Sequence, residues 1–546
     1  MATQSHDRTE DMGETEHLLE RIEKLIDIGI ALSAESNIAR LLEMILLGAK
    51  EITNADGGTL YSVQENQSVK MEILRTDSLN FAMGGTTDAD VPFAPIPLHG
   101  SDGRPNHRNV VTHAVLNDCT INIPDAYGAE GFDFAGTREF DRTTGYRSTS
   151  FLTVPLKNHE GDIIGVLQLL NAQDDAGKVV PFSAEAQRMT EALASQAAVA
   201  LTNRRLIADL QQLFESFIKL IADAIDEKSP YTGGHCRRVP VITMLLADAV
   251  ARVTDGPLRD FSMSEADRYE LEVAAWLHDC GKVTTPEYVV DKSTKLETIY
   301  DRVHEVDARF EILRRDAEIA LLRRRLDNPA QADQLLKEYQ DTVRQLEDDR
   351  DFIHRCNQGG EFMRPEDQAR VEAVGRRTWI DAAGTVKPLL TDNEILNLNI
   401  AKGTLTDDER QVINNHIVAT INMLEALSFP KHLKRVPEFA GGHHERSDGH
   451  GYPRGLSREQ MSVQARIMAI ADVFEALTAR DRPYKPGKKL SDTLRIMAHM
   501  KLDGHLDPDL FDVFIREGVY QQYASQYLDP EQIDHVDIAQ LPGFGD

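Results

Sequence analysis

Two adjacent pairs of metal-competent side chains mark the second half of the sequence. His278-Asp279 lies in LHDCGKV, and His443-His444 lies in GGHHERSDGHGYP. Three further residues join them: His235 in YTGGHCRRV, His416 in INNHIVATI and Asp472 in AIADVFEAL. Imidazole and carboxylate suit borderline divalent ions such as Fe, Mn, Zn or Ni. Neighbouring residues of a helix point about 100° apart, so an adjacent pair is badly placed to chelate one ion. It can reach two ions ~3.5–4 Å apart, the spacing of hydrolytic two-metal sites. Asp279, with two carboxylate oxygens, is the natural bridge between them. Lys282 lies one helical turn after His278, where its ammonium can approach a phosphate.

Most of the 18 histidines need no such account. His6, His17, His159 and His535 read as surface residues. His99, His107 and His113 have no carboxylate partners nearby in sequence and read as solvated or hydrogen-bonded side chains.

The elements that must position the donors are helices. Apart from turns and loops, the chain from Phe214 onward reads as helix throughout. One stretch is foreign to the pattern. Ile299–Leu326 and Ala330–Cys356 are highly charged helical segments separated by Asp327-Asn-Pro329, which predicts an antiparallel helical hairpin inserted at about 297–395. The insertion also makes a decoy, since His304 in TKLETIYDRVHEV has a context partly like that of His416 in TLTDDERQVINNH.

The first half alternates differently. Residues 1–14 are polar and acidic and are expected to be disordered. Helices follow at about Glu16–Ser33 and Ile38–Thr53. Strand-like runs then appear at Gly58–Val63, Val69–Leu74, Ser150–Pro155 and Ile163–Leu170, and Phe151–Lys157 and Asp162–Asn171 read as a hairpin joined by Asn158-His-Glu-Gly161. Helices, strands and a closing helix predict an α+β domain. From Ala184 to about Glu227 almost nothing breaks a helix. Leu206, Leu210, Leu213, Phe217, Leu220 and Ile221 recur at helical spacing, which favours a helix that leaves the first domain, pairs in a homodimer and enters the second.

The 546 residues and net charge of −29 bound the rest. The length implies two to four domains. The acidity disfavours long nucleic acid and anionic membranes, while leaving room for a small anionic substrate at a local cationic site. No apolar run is long enough to span a bilayer, so no membrane insertion is expected. Cys119, Cys236, Cys280 and Cys356 form no CxxC pair and read as free thiols of a reducing cytoplasm.

HDCGK and HHERSDGHGYPRGL, with DEKSPYTGGHCRRV, TLTDDERQVINNH and ADVFEALTARDRPYK, resemble the HD-GYP family of the HD phosphohydrolases, over about Ala222–Asp546 apart from the insertion. The resemblance implies an all-α domain and a metal-dependent phosphodiesterase that hydrolyses cyclic di-GMP to pGpG or GMP. It implies His235, His278, Asp279, His416, His443, His444 and Asp472 as metal ligands, with Asp279 and Lys282 catalytic. It makes Lys282, Arg482 and Lys485 phosphate-holding, with Arg238 supporting the site, Tyr452 shaping its edge, and Glu445 and Asp448 bracing the GYP loop. Where some members carry a glutamate for a third metal, this chain has Tyr231, so two ions are expected, Fe or Mn first and Zn or Ni as alternatives. The resemblance leaves open 3′3′-cyclic GMP-AMP as substrate, a catalytically silent dinucleotide receptor or adaptor, and a generic HD nucleotidase.

NIPDAY and TGYRSTSFLTVPLKNHEGDIIGVLQLLNA resemble GAF domains of cyclic-nucleotide phosphodiesterases and adenylyl cyclases, over about Glu16–Arg205. Such domains often carry an Asn-Lys…Phe…Asp-Glu motif. Here Ala172 follows Asn171, and Ser-Ala-Glu-Ala-Gln follows Phe182, so a small-molecule or cyclic-nucleotide ligand and a purely dimerising role both remain open. The expected order is therefore a tail (1–14), a GAF sensor (15–205), a linker helix (206–230) and an HD-GYP domain (231–546).

Overall fold

The computed structural model describes residues 4–228, 234–360, 362–480 and 487–544, with side chains from residue 19 onward. It divides into two compact units, Met1–Leu213 and Phe214–Asp546.

The first unit opens with α1 (Gln4–Ala34) and α2 (Ile38–Thr53). The expected tail is helical from Gln4, because residues 4–14 hold no proline and Gly13 is their only glycine. Asn37 starts α2 by accepting from the Arg40 N–H, and Asn54 ends it in the left-handed conformation. The strands are β1 (Ala55–Gln64), β2 (Ser68–Thr76), β3 (Phe81–Gly84), β4 (Ile96–Pro97), β5 (Ile121–Ile123), β6 (Phe151–Lys157), β7 (Ile163–Gln173) and β8 (Val179–Val180). They form one antiparallel sheet in the order β3-β2-β1-β7-β6-β5, with β4 on β2 and β8 on β7. Helices α3 (Val110–Asn117) and α4 (Ala135–Thr144) interrupt the strands.

Strand alternation sorts the two faces of the sheet. Leu60 and Leu167 pack with Leu41 and Ile45 of α2 and with Leu193 and Ala197 of the closing helix α5 (Ala184–Lys228). Their neighbours Tyr61 and Val166 pack on the other face with Val111 of α3. The first unit is an α+β fold closed by α5, which runs on into a largely helical region. Along its later turns α5 exposes Leu206, Leu210, Leu213, Phe217 and Leu220, alternating in steps of four and three.

In the second unit, α6 (His235–Ala251), α7 (Glu265–Leu277) and α8 (Glu287–Val290) precede the insertion. Helices α13 (Asp407–Glu425), α14 (Val436–Gly441), α15 (Val463–Thr478), α16 (Leu490–Leu502), α17 (Pro508–Arg516) and α18 (Val519–Tyr527) follow it. Capping boxes at Ser264/Asp267 and Thr406/Glu409 start α7 and α13, as S-x-x-D and T-x-x-E spacing dictates. One core joins Val239 and Leu246 of α6, Leu271 and Ala275 of α7, and Ile470 and Phe474 of α15 to Phe511 and Tyr520 of the last two helices.

The insertion is more than a hairpin. The helices α9 (Val303–Asp327) and α10 (Ala332–Asn357) are joined by α11 (Pro365–Gly375), a two-stranded ribbon of β9 (Thr378–Ile380) and β10 (Val386–Pro388), and α12 (Asp392–Leu398). These share their own small core of Val303, Phe310, Ile353, Val371, Leu389 and Leu398. The domain is thus not purely α. The charged surfaces of α9 and α10 conceal the few apolar positions that build this core. Two buried lysines clasp its ends. Lys292 Nζ donates to Asn397 Oδ1 at 2.7 Å and to the Glu409 carboxylate at 2.8 Å, and Lys295 Nζ donates to the carbonyls of Leu398 and Ile400. The start of α13 is therefore held against the segment that precedes α9.

Candidate metal centre

Six chain segments deliver the seven candidate donors. His235 is the first residue of α6, and Asp472 sits within α15. His278 ends α7, and Asp279 opens the tight turn Cys280–Thr284. The pair therefore lies at a helix break, rather than along a continuous helix as its spacing suggested. His416 lies mid-way along α13, and His443 and His444 follow the Gly441-Gly442 end of α14.

Gly281 allows the tightest approach. A Cβ there would fall 2.0 Å from the His416 carbonyl oxygen, and its N–H donates to Thr420 Oγ1 at 2.9 Å. Only glycine lets the Asp279 turn rest on α13.

The donors form two groups that share Asp279: His235, His278, Asp279 and Asp472, and Asp279, His416, His443 and His444. Within each group the donor atoms all lie within 4.8 Å of one another. Asp279 Oδ2 is 3.1 Å from His235 Nε2 and 3.2 Å from His278 Nε2. Asp279 Oδ1 is 3.2 Å from His416 Nε2 and 4.0 Å from His443 Nε2. The two carboxylate oxygens thus face different imidazole sets.

The imidazoles are held with Nε2 inward. His278, His416 and His443 each present Nδ1 to the carbonyl three residues earlier, Ala275, Ile413 and Ala440, and His235 presents Nδ1 to Glu475 Oε2. At His278, His416 and His443 a proton on Nδ1 leaves the Nε2 lone pair free, the tautomer a metal ligand requires, and at His235 a bound cation would take the place of the Nε2 proton. Burial, aided by the neighbouring His444 and His278, pushes His443 well below its usual range, and burial pushes His444 down to about 4. Both are neutral at neutral pH.

Burial opposes ionisation of Asp279, but Lys282 and His278 outweigh it and hold the carboxyl well below its ordinary value. Burial likewise acts to lower His235, yet Glu475, with Asp279 and Asp472, holds it well above the usual range. Three carboxylates around one imidazole create a field that favours positive charge.

The donor set fits a divalent cation on direct grounds. Asp279 Oδ1 and His443 Nε2 are buried without a hydrogen-bond partner among the described residues. His235 and His278 oppose their Nε2 atoms at 3.2 Å, as do His416 and His444. Lone pairs that converge without donors between them are costly unless a cation accepts them.

The other candidates divide. Lys282 Nζ lies 2.5 Å from Asp279 Oδ2, in the same charge cluster. Arg238 Nε donates to Glu475 Oε1 at 2.7 Å, which commits that edge to bracing His235 through Glu475. Tyr452 stacks on His444, with ring centroids 4.9 Å apart. Glu445 is buried and accepts from the Arg454 and Leu456 N–H groups, and Asp448 accepts from His450 N–H and Arg446, so both hold the loop. His304 is exposed on α9, whereas His416 is 2% exposed and within the cluster. Arg482, Lys485 and Tyr231 lie outside the described residues. The sequence reading missed Glu475, although it lies three residues after Asp472 on α15, within reach of the same face.

Profiles of known domains match three stretches: a GAF domain over residues 37–201, and HD domains over 232–348 and 391–510. The chain carries a GAF domain followed by an HD region whose two matched stretches are separated by residues 349–390. It is 42% identical over 135 residues to the 3′3′-cGAMP-specific phosphodiesterase 1 of Vibrio cholerae, covering 25% of this chain and 29% of that protein. It is 40% identical over 119 residues to a cyclic di-GMP phosphodiesterase of Pseudomonas aeruginosa, covering 22% of this chain and 28% of that protein. The chain thus spans 29% and 28% of the length of these two relatives. The GAF domain of an Acinetobacter phosphoenolpyruvate-protein phosphotransferase overlays 34% of this chain and 96% of its own, at 15% identity and a TM-score of 0.25.

Proposed function

We propose that this chain, which joins a GAF domain to an HD region, is a two-metal phosphodiesterase that hydrolyses a cyclic dinucleotide, cyclic di-GMP first. The observation that carries the reading is Asp279, whose two carboxylate oxygens each face a separate imidazole set. One ion would be held by His235, His278, Asp279 and Asp472, and the other by Asp279, His416, His443 and His444. Divalent ions bound there would supply charge neutralisation at the phosphate and a nucleophile at neutral pH.

The protein's own groups do the rest. The fixed Nδ1 partners pre-orient the imidazoles, so little reorganisation is needed. Lys282 adds positive charge beside Asp279, where the phosphorane-like transition state gains negative charge. Water adds to phosphorus in line, the bond to the ribose 3′-oxygen breaks, and that oxygen takes up a proton. Tyr452, stacked on His444, forms an apolar edge to the site. Arg482 and Lys485 would hold the substrate phosphates.

Turnover of cyclic di-GMP and of 3′3′-cyclic GMP-AMP by purified protein with Mn²⁺ or Fe²⁺ tests this reading. Hydrolysis of cyclic di-GMP, abolished by chelation, is the expected result. Faster hydrolysis of the mixed dinucleotide would transfer the assignment to that substrate, a reading favoured by the 42% identical stretch of the Vibrio cholerae relative. Tight binding of a dinucleotide without turnover would instead make the chain a receptor. Metal analysis should find two ions per chain, since Tyr231 stands where a third carboxylate would be needed; three fully occupied sites would contradict this.

The regulatory half of the proposal is a parallel homodimer through α5. The exposed Leu206, Leu210, Leu213, Phe217 and Leu220 follow heptad steps, the pattern of a two-stranded seam. The GAF domain would act on the HD region through that helix.

A further inference from the structure

The last turn of α5 reaches two donor-bearing segments with groups of opposite charge. Lys228 Nζ donates to the carbonyls of Val283 and Thr285, the latter at 2.8 Å, and lies 3.5 Å from that of Lys282. These carbonyls close the turn Cys280–Thr284, which starts at Asp279 and carries Lys282. The Lys282 carbonyl already accepts from the Thr285 N–H at 3.1 Å, and an ammonium is a natural cap for the carbonyls at the end of such a turn. Two residues earlier, the buried Asp226 accepts from the Cys236 N–H at 3.3 Å. That group belongs to the unsatisfied first turn of α6, where an acid is favoured, and His235 precedes it. Asp223 adds an ion pair to Arg237 on the same turn, at 2.7 Å.

One turn of α5 thus grips both the residue after His235 and the turn after Asp279. His235 and Asp279 stand 3.1 Å apart in the same donor group. We propose that Lys228 and Asp226 are positioning residues that set this separation, and so control one of the two metal sites from the end of α5. The inference rests on the metal reading above. None of these contacts touches His416, His443 or His444, so the second site, which shares only Asp279 with the first, should respond less.

The test uses the full chain and Mn²⁺ alone, with binding followed by the electron paramagnetic resonance of free Mn²⁺. Lys228→Met should weaken one of two ions by about ten- to a hundredfold, leave the other within about threefold, and shift thermal unfolding of the metal-free protein little. Lys228→Arg, which keeps a charged donor, should recover most of the loss. Wild-type affinity for both ions in Lys228→Met would overturn the proposal. So would equal weakening of both ions alongside a large fall in metal-free thermal stability, since that is a folding defect. If the unsubstituted chain binds no Mn²⁺, both this inference and the metal reading fail. If it binds two ions and Lys228→Met loses one selectively, yet no cyclic dinucleotide is turned over, the enzymatic reading fails while the positioning role stands.

Discussion

Asp279 is the one side chain shared by both donor groups. Its removal would strip a proposed ligand from each and leave five imidazoles, Asp472 and Lys282 facing one another. Asp279→Ala should therefore lower turnover at least about a thousandfold, as removal of one member of a concerted constellation does. Bound metal should fall in parallel, with far-ultraviolet circular dichroism unchanged. Full activity in a metal-loaded variant would refute the bridging role. A paired test separates the proposed ligand from its decoy: His416→Ala should lose metal, and His304→Ala, on an exposed helical surface, should bind metal like the parent. The reverse would place the insertion on the wrong side of the fold. The seven candidate donors could be picked out in sequence because their types and local spacing are chemical facts that survive without coordinates. Glu475 and the Nδ1 acceptors were not. Backbone carbonyls carry no sequence signal, and Glu475 gains meaning only once α15 lies against α6, where it meets His235 and Arg238.

At the scale of elements, Lys292 decides whether a long insertion is harmless. Its ammonium is fully buried between Asn397 and Glu409, so the clasp holds the start of α13 against the segment before the insertion. Lys292→Met leaves the half-buried Glu409 carboxylate without its lysine but with the Thr406 N–H, a loss of about 2 kcal/mol for a charged hydrogen bond. Urea unfolding of the second unit should show that loss. The His416 site should weaken more than the His235 site, because only α13 is released. Unchanged stability and metal content would mean that the insertion core alone closes the loop. Helical periodicity placed α2, α5 and both hairpin helices within a few residues of their observed ends. It gave no sight of β9, β10 or the shared core, because three-residue strands are too short to show alternation. The clasp was equally hidden, since its partners are brought together only by the fold.

At the scale of the molecule, α5 is the one element whose residues belong to both compact units. Its exposed seam steps by four and three through Leu206, Leu210, Leu213, Phe217 and Leu220, and its last turn grips the segments that follow His235 and Asp279. If the seam pairs in a parallel dimer, the rotational phase of α5 sets how that last turn meets the metal centre. A displacement of ~1 Å at such a site can cost about a hundredfold in rate. Insertion of four residues near Asp209 turns the downstream helix by about 40°, whereas seven residues roughly preserve heptad phase. The four-residue variant should change cyclic dinucleotide turnover at least about tenfold, and the seven-residue variant should stay within about threefold of the parent, with both still dimeric by light scattering. Equal and near-parental rates in two dimeric variants would show that the GAF domain does not act through the phase of this helix. A parent that is monomeric at micromolar concentration would remove the paired seam itself, and the exposed leucines would then call for a different partner.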